Sequence, residues 1–93
     1  MTPDTTDIRK MIASGNYDDA AAAIDALICS GDPEAEAEAY YLRGRMAWKL
    51  GKKGDAISNY AAAVDLTGHA EAAVALEQAR EIMNFFNKDL YNP

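Results

Sequence analysis

Ninety-three residues make one small domain, with no room for a second. A net charge of −6 argues against generic binding to a nucleic-acid backbone, and the sequence shows no apolar run near the ~20 residues a membrane helix needs. Nor does the N-terminus carry the apolar run of a signal peptide, so the expectation is a soluble, cytoplasmic protein that binds neither nucleic acid nor membrane. The charge is uneven: residues 1–40 carry nine acids against two bases (−7), residues 41–93 six acids against seven bases (+1). One cysteine, Cys29, cannot form an internal disulfide, and it is expected as an inert thiol on a buried helix face.

In chain order, Thr2-Pro3 opens the first helix as cap and first-turn proline, and Ile8, Met11 and Ile12 form its apolar stripe. Gly15 ends it, and Asn16 is placed to cap a second helix whose Ala20, Ala23, Ile24, Leu27 and Ile28 keep the helical spacing up to Gly31. Asp32-Pro33 restarts the chain in the same way. Glu34, Glu36 and Glu38 favour the positive end of a third helix, which runs to about Leu50 and stops at Gly51. A fourth helix from about Gly54 buries Ala56, Ile57, Tyr60, Ala63 and Val64 and closes at Gly68. A fifth starts near His69 or Ala70 and runs through Val74, Ala75, Ala79, Ile82, Met83 and Phe86, leaving residues 89–93 as a tail whose Leu90 and Tyr91 can fold back. No segment alternates with period two over a strand's length, so the reading is all-α.

The second and fourth helices are related by a shift of 36 residues: Gly15 falls on Gly51, Asp19 on Asp55, Ala20 on Ala56, Ile24 on Tyr60 and Ile28 on Val64. Gly31 and Gly68 keep nearly the same step. Such a period indicates helical hairpins that cover one another's apolar faces. Tyr40, Gly44, Ala56 and Tyr60 in the central unit resemble the tetratricopeptide repeat, whose pattern W-x2-L-G-x2-Y…A-x3-F…P spans about 34 residues. The unit departs from it at Arg43, Ala47 and Gly68.

The resemblance implies a short right-handed solenoid of antiparallel hairpins: a degenerate first repeat over 1–33, a central repeat over 34–68 and a capping helix over 69–88. It also implies a concave groove, lined by the first helix of each repeat, in which peptides or partner helices dock. Gly44 in mid-helix costs ~1 kcal/mol relative to alanine, so a close neighbour is expected to require it.

The residues show no convincing chemistry. His69, the only histidine, is expected as a cap or surface residue. No spacing suits a metal or a cofactor, and Gly51-Lys52-Lys53-Gly54 reads as a turn, so no enzyme is expected. The informative stripe is Tyr41, Arg45, Trp48, Lys49 and Lys52, one continuous face of the third helix. By the resemblance these residues point into the groove, flanked by Arg9 and Ile12 before them and Ala79 and Met83 after them. Aromatic rings beside cations suit an acidic or carboxylate-ended protein segment. The alternative is that Trp48 fills the core while the bases pair with the acidic N-terminal half. A different possibility is a self-associating homodimer, through Ile82, Met83, Phe85 and Phe86 on the last helix.

Overall fold

The computed structural model describes the backbone of residues 5–91 and the side chains of residues 5–85. Five α-helices follow one another: α1 (Thr5–Ala13), α2 (Tyr17–Ile28), α3 (Pro33–Lys49), α4 (Lys53–Thr67) and α5 (Ala70–Tyr91). There is no strand among the described residues. The expected caps Thr2 and Pro3 lie outside them.

Local chemistry sets most boundaries. Asp32 caps α3, its carboxylate accepting from the Glu34 N–H at 3.2 Å, with Pro33 in the first turn. The turns after α1 and α3 share one geometry. Gly15 N–H donates to the Ile12 carbonyl and Asn16 N–H to that of Met11; 36 residues on, Gly51 donates to Trp48 and Lys52 to Ala47. Both are Schellman turns, and they place Gly15 at φ 83° and Gly51 at φ 80°, where a Cβ is costly. Asn16 departs from expectation: it stands at the start of α2, but its side chain makes no cap bond. Its N–H closes the preceding turn, and the resulting φ −85°, ψ 62° lies outside the extended backbone of a side-chain cap.

The helices pack in sequence. α2 lies against α1 and α3, α4 against α3 and α5, and α1 also touches α3. Eight of the sixteen buried apolar residues described are alanine, so cohesion comes from close helix approach rather than large side chains. At the tightest point, between α3 and α4, a Cβ on Gly44 would stand 2.5 Å from Tyr60 Cε1 and 3.2 Å from the Ala56 carbonyl oxygen, as the mid-helix glycine required. The radius of gyration is 14.0 Å, against about 12 Å for a rounded chain of this length. Two shallow cavities open along α3, one toward α1 and one toward α5.

The step of 37 residues between Gly31 and Gly68 also relates α3 to α5. It sets Ala39 on Leu76 and Leu42 on Ala79, all buried, and Met46 on Met83, both half-buried. On the opposite side of α5, Gln78, Glu81 and Asn84 occupy the positions of Tyr41, Gly44 and Ala47. The exposed Val74 and Phe85 share that side, which therefore mixes polar and apolar groups.

Three further expectations change. Cys29 is exposed, not in the core: the buried stripe of α2 passes through Ala20, Ile24 and Leu27, and Cys29 at the helix end lies about 200° round from Leu27. Val74 and Ile82 are exposed, because α5 buries Ala72, Leu76 and Ala79 instead. Finally, α5 continues to Tyr91, since Lys88-Asp89-Leu90-Tyr91 contains no glycine or proline to stop it. The side chains of Phe86, Leu90 and Tyr91 lie outside the described residues.

Candidate functional site

The two cavities adjoin and share Arg45 and Lys49 of α3. The first, about 220 Å³, lies between α3 and α5, where Trp48 faces Ala75, Gln78, Ala79 and Ile82 across a floor that includes Tyr60. The second, about 180 Å³, lies between α3 and α1, whose Arg9, Ile12 and Ala13 form its far wall. Together they make one cleft that is basic toward α1 and apolar toward α5. Each is below the ~300 Å³ at which cofactor and small-molecule sites begin, and each suits one or two side chains of a docked segment.

The cations of α1 and α3 are held differently. Arg43 pairs with Asp25 at 2.9 Å, and Arg9 with Glu38 at 2.7 Å and Glu71 at 3.3 Å. Of these pairs only Arg43–Asp25 joins a base of the second half to the acidic N-terminal half; Arg9 belongs to that half itself, and Glu71 to α5. Burial by itself would lower the Arg9 pKa; hydrogen bonds and charge from Glu38 and Glu71 outweigh it and hold the value above the ordinary one. Arg45 instead donates to the Tyr41 hydroxyl at 3.1 Å, and neither Arg45 nor Lys49 has a carboxylate partner among the described residues. Trp48 is half-buried, with the Lys53 ammonium 5.4 Å from its ring, so one side of the indole remains open to the cleft.

Beneath the cations lies a connected polar cluster. His69 caps α5: its Nδ1 accepts from the Ala72 N–H at 3.1 Å. Nδ1 must therefore carry a lone pair, so the neutral ring bears its proton on Nε2 and donates it to Glu38 Oε2 at 2.6 Å. Glu38 Oε1 meanwhile accepts from Arg9. The His69 ring stacks on Tyr41 at 5.0 Å, and the Arg9 and Arg45 guanidinium carbons stand 5.5 and 5.9 Å from the Tyr41 ring centre. Burial raises the pKa of Tyr60 below, opposed by the Arg45 charge and reinforced by Tyr41.

Glu38, His69 and Glu71 bring one donor atom each within 4.8 Å of one another, a spacing that suits a metal ion. The chemistry of the donors does not. Binding a metal through Nε2 would move the proton to Nδ1 and break the helix cap, and the Arg9 guanidinium already spans the two carboxylates.

Of the residues expected in the groove, Arg45, Trp48 and Lys49 line the α3–α5 cavity, and Arg9 lines the α1–α3 cavity. Tyr41 is 4% exposed and serves as the support on which both arginines rest. Lys52 falls in the turn after α3 and lines neither cavity, and Met83 yields its expected place to Ile82. Gln78 and Tyr60 line the cleft without having been expected there, and Glu38 was read as a helix-start charge alone. Nothing in the local pattern marks Glu38 as the centre of the cluster, since its partners lie 29 and 31 residues away.

No protein-family model, curated protein or solved structure matches this chain. Function is therefore read from the cleft itself.

Proposed function

We propose that this protein is a non-catalytic, cytoplasmic interaction module that holds an acidic peptide or helix segment of another protein in the cleft across α1, α3 and α5. The observation that carries the reading is the pairing of two cations lacking acid partners among the described residues, Arg45 and Lys49, with an adjacent apolar wall of Trp48, Ala79 and Ile82. A chain of net charge −6 that leaves these cations uncompensated at the cleft is arranged to attract an anion there. The repeated Schellman turns and the register shared by α3 and α5 support a tetratricopeptide-like stack of hairpins, with α5 as its cap. A non-catalytic role is supported by His69, both of whose ring nitrogens are committed to structural bonds, leaving no free lone pair for a general base.

The test is affinity capture from the native host with the wild-type chain and with Arg45→Glu/Lys49→Glu. Both side chains are exposed, so the circular dichroism should not change, while the captured partner should be lost. Capture undiminished by the double change would refute the cleft assignment.

A second reading is self-association through α5, favoured by Val74 at 57% and Phe85 at 74% exposure.

A further inference from the structure

We infer that two copies of this chain close on one another, the exposed stripe of each α5 seated in the α3–α5 cavity of the other. This names an occupant for the cleft when no other protein fills it, and so rests on the cleft being a docking site.

The stripe belongs to α5. Val74, Gln78, Glu81 and Phe85 fall within about 60° of one another round the helix, and all four are exposed. The step of 37 residues sets Gln78 on Tyr41 and Glu81 on Gly44. On α3 that side is covered by α4, whose Tyr60 lies against Tyr41 and Gly44. On α5 the corresponding side exposes Val74 and Phe85, with the Glu81 carboxylate between them in sequence.

The cavity is the complement of that stripe. Glu81 stands four residues before Phe85, one turn and ~6 Å along the axis. On α3, Arg45 and Lys49 are likewise one turn apart, Trp48 falls between them in sequence, and all three line the cavity. A Phe85 ring laid against Trp48, Ala79 and Ile82 therefore carries Glu81 within reach of a base. Charge agrees with shape. The cleft's three bases, Arg9, Arg45 and Lys49, stand with two acids, Glu38 and Glu71, that bond Arg9, for a sum of +1. One carboxylate balances it, and Glu81 supplies one. Two chains of net charge −6 repel, but at about 0.15 M salt that repulsion is screened beyond about 8 Å, while an ion pair drawn into a cavity is screened much less.

Stripe and cavity share one helix, so the contact closes as a pair. Ile82 lines the cavity and lies about 60° round α5 from Phe85. Seating one α5 on the other copy's cavity thus brings the second α5 over the first, and the same surface serves both chains around a two-fold axis.

The test is sedimentation equilibrium of the full chain at about 0.15 M salt, with wild type, Arg45→Glu, Glu81→Arg and an equimolar mixture of the two variants. Wild type should form a dimer and nothing larger. Each variant alone should dissociate at about tenfold higher concentration, since like charges then meet at every seat. The mixture should dimerise close to wild type, because every seat then joins opposite charges, and this recovery shows both variants folded. A wild type that stays monomeric, a mixture no tighter than its components, or growth beyond the dimer would overturn the inference. A dimer unmoved by Arg45→Glu would overturn it as well. Partner capture by wild type and by Arg45→Glu/Lys49→Glu separates this contact from the cleft reading. Capture lost in the double variant of a chain that is monomeric overturns the self-contact alone. Capture and dimer both indifferent to these changes overturn both.

Discussion

Gly44 is where one hydrogen atom decides how two helices meet. Alanine there would gain ~1 kcal/mol of helix propensity, but its methyl would stand 2.5 Å from a ring carbon of Tyr60. Tyr60 is buried and lies against Tyr41, with ring centres 5.9 Å apart, so a Cβ at Gly44 must push its ring off that contact toward the cavity it borders, and the Ala56 carbonyl oxygen at 3.2 Å is backbone that cannot follow. Overpacking at such a point costs about 1–3 kcal/mol, which exceeds the propensity gain. Thermal melts should therefore show Gly44→Ala less stable than wild type by about 1 kcal/mol, lowering Tm by roughly 4–8 °C, with Gly44→Leu lower still. A Tm that rises in Gly44→Ala would mean that Tyr60 moves aside freely. The contrast with Cys29 is instructive at the same scale. Gly44 was legible because a mid-helix glycine needs a reason, whereas Cys29 was misplaced because apolar character at a helix end says little about which side it faces.

Among the elements, α5 depends on a single side chain for its start. His69 accepts the Ala72 N–H, carries the Glu38 hydrogen bond and stacks on Tyr41, so it joins α5 to α3 as well as capping α5. Removing a cap costs about 0.5–2 kcal/mol. His69→Ala should fall at the upper end of that range in chemical denaturation, because Glu38 also loses a hydrogen-bond donor. His69→Asn, a good cap without the stacked ring, should recover part of the loss. Equal stability of His69→Ala and wild type would show that the cap contributes nothing. The boundaries of α3 and α4 follow from Asp32-Pro33 and from the glycine turns, all of them local signals. The extension of α5 to Tyr91 follows from the absence of any local stop, and the expected tail was misread there for want of apolar spacing alone.

Across the whole molecule, charge is sorted by tertiary contact. Arg9 and Arg43 are paired with carboxylates, whereas Arg45 and Lys49 border the cleft without one among the described residues. The other outward feature is the apolar stripe of α5. If it drives self-association, the wild type will sediment as a dimer at high concentration and Phe85→Asp as a monomer. A wild-type chain that stays monomeric at all concentrations would reject that reading and leave α5 as a solvated cap, in keeping with its Gln78, Glu81 and Asn84.

By itself the amino-acid order determined the five helices, most of their ends, the close approach at Gly44 and the face of α3 that carries Arg45, Trp48 and Lys49. These are properties of backbone torsion and of 3.6-residue periodicity, which act within a turn or two of chain. Only the folded chain decided which cations were neutralised, that Tyr41 would lie beneath the arginines instead of beside them, and that Glu38 would join Arg9 to His69. Those outcomes depend on electrostatic contacts between residues 29, 31 and 62 positions apart. At such separations, the packing of α1 onto α3 and of α5 onto α4 sets the distance between charges, and no local pattern encodes it.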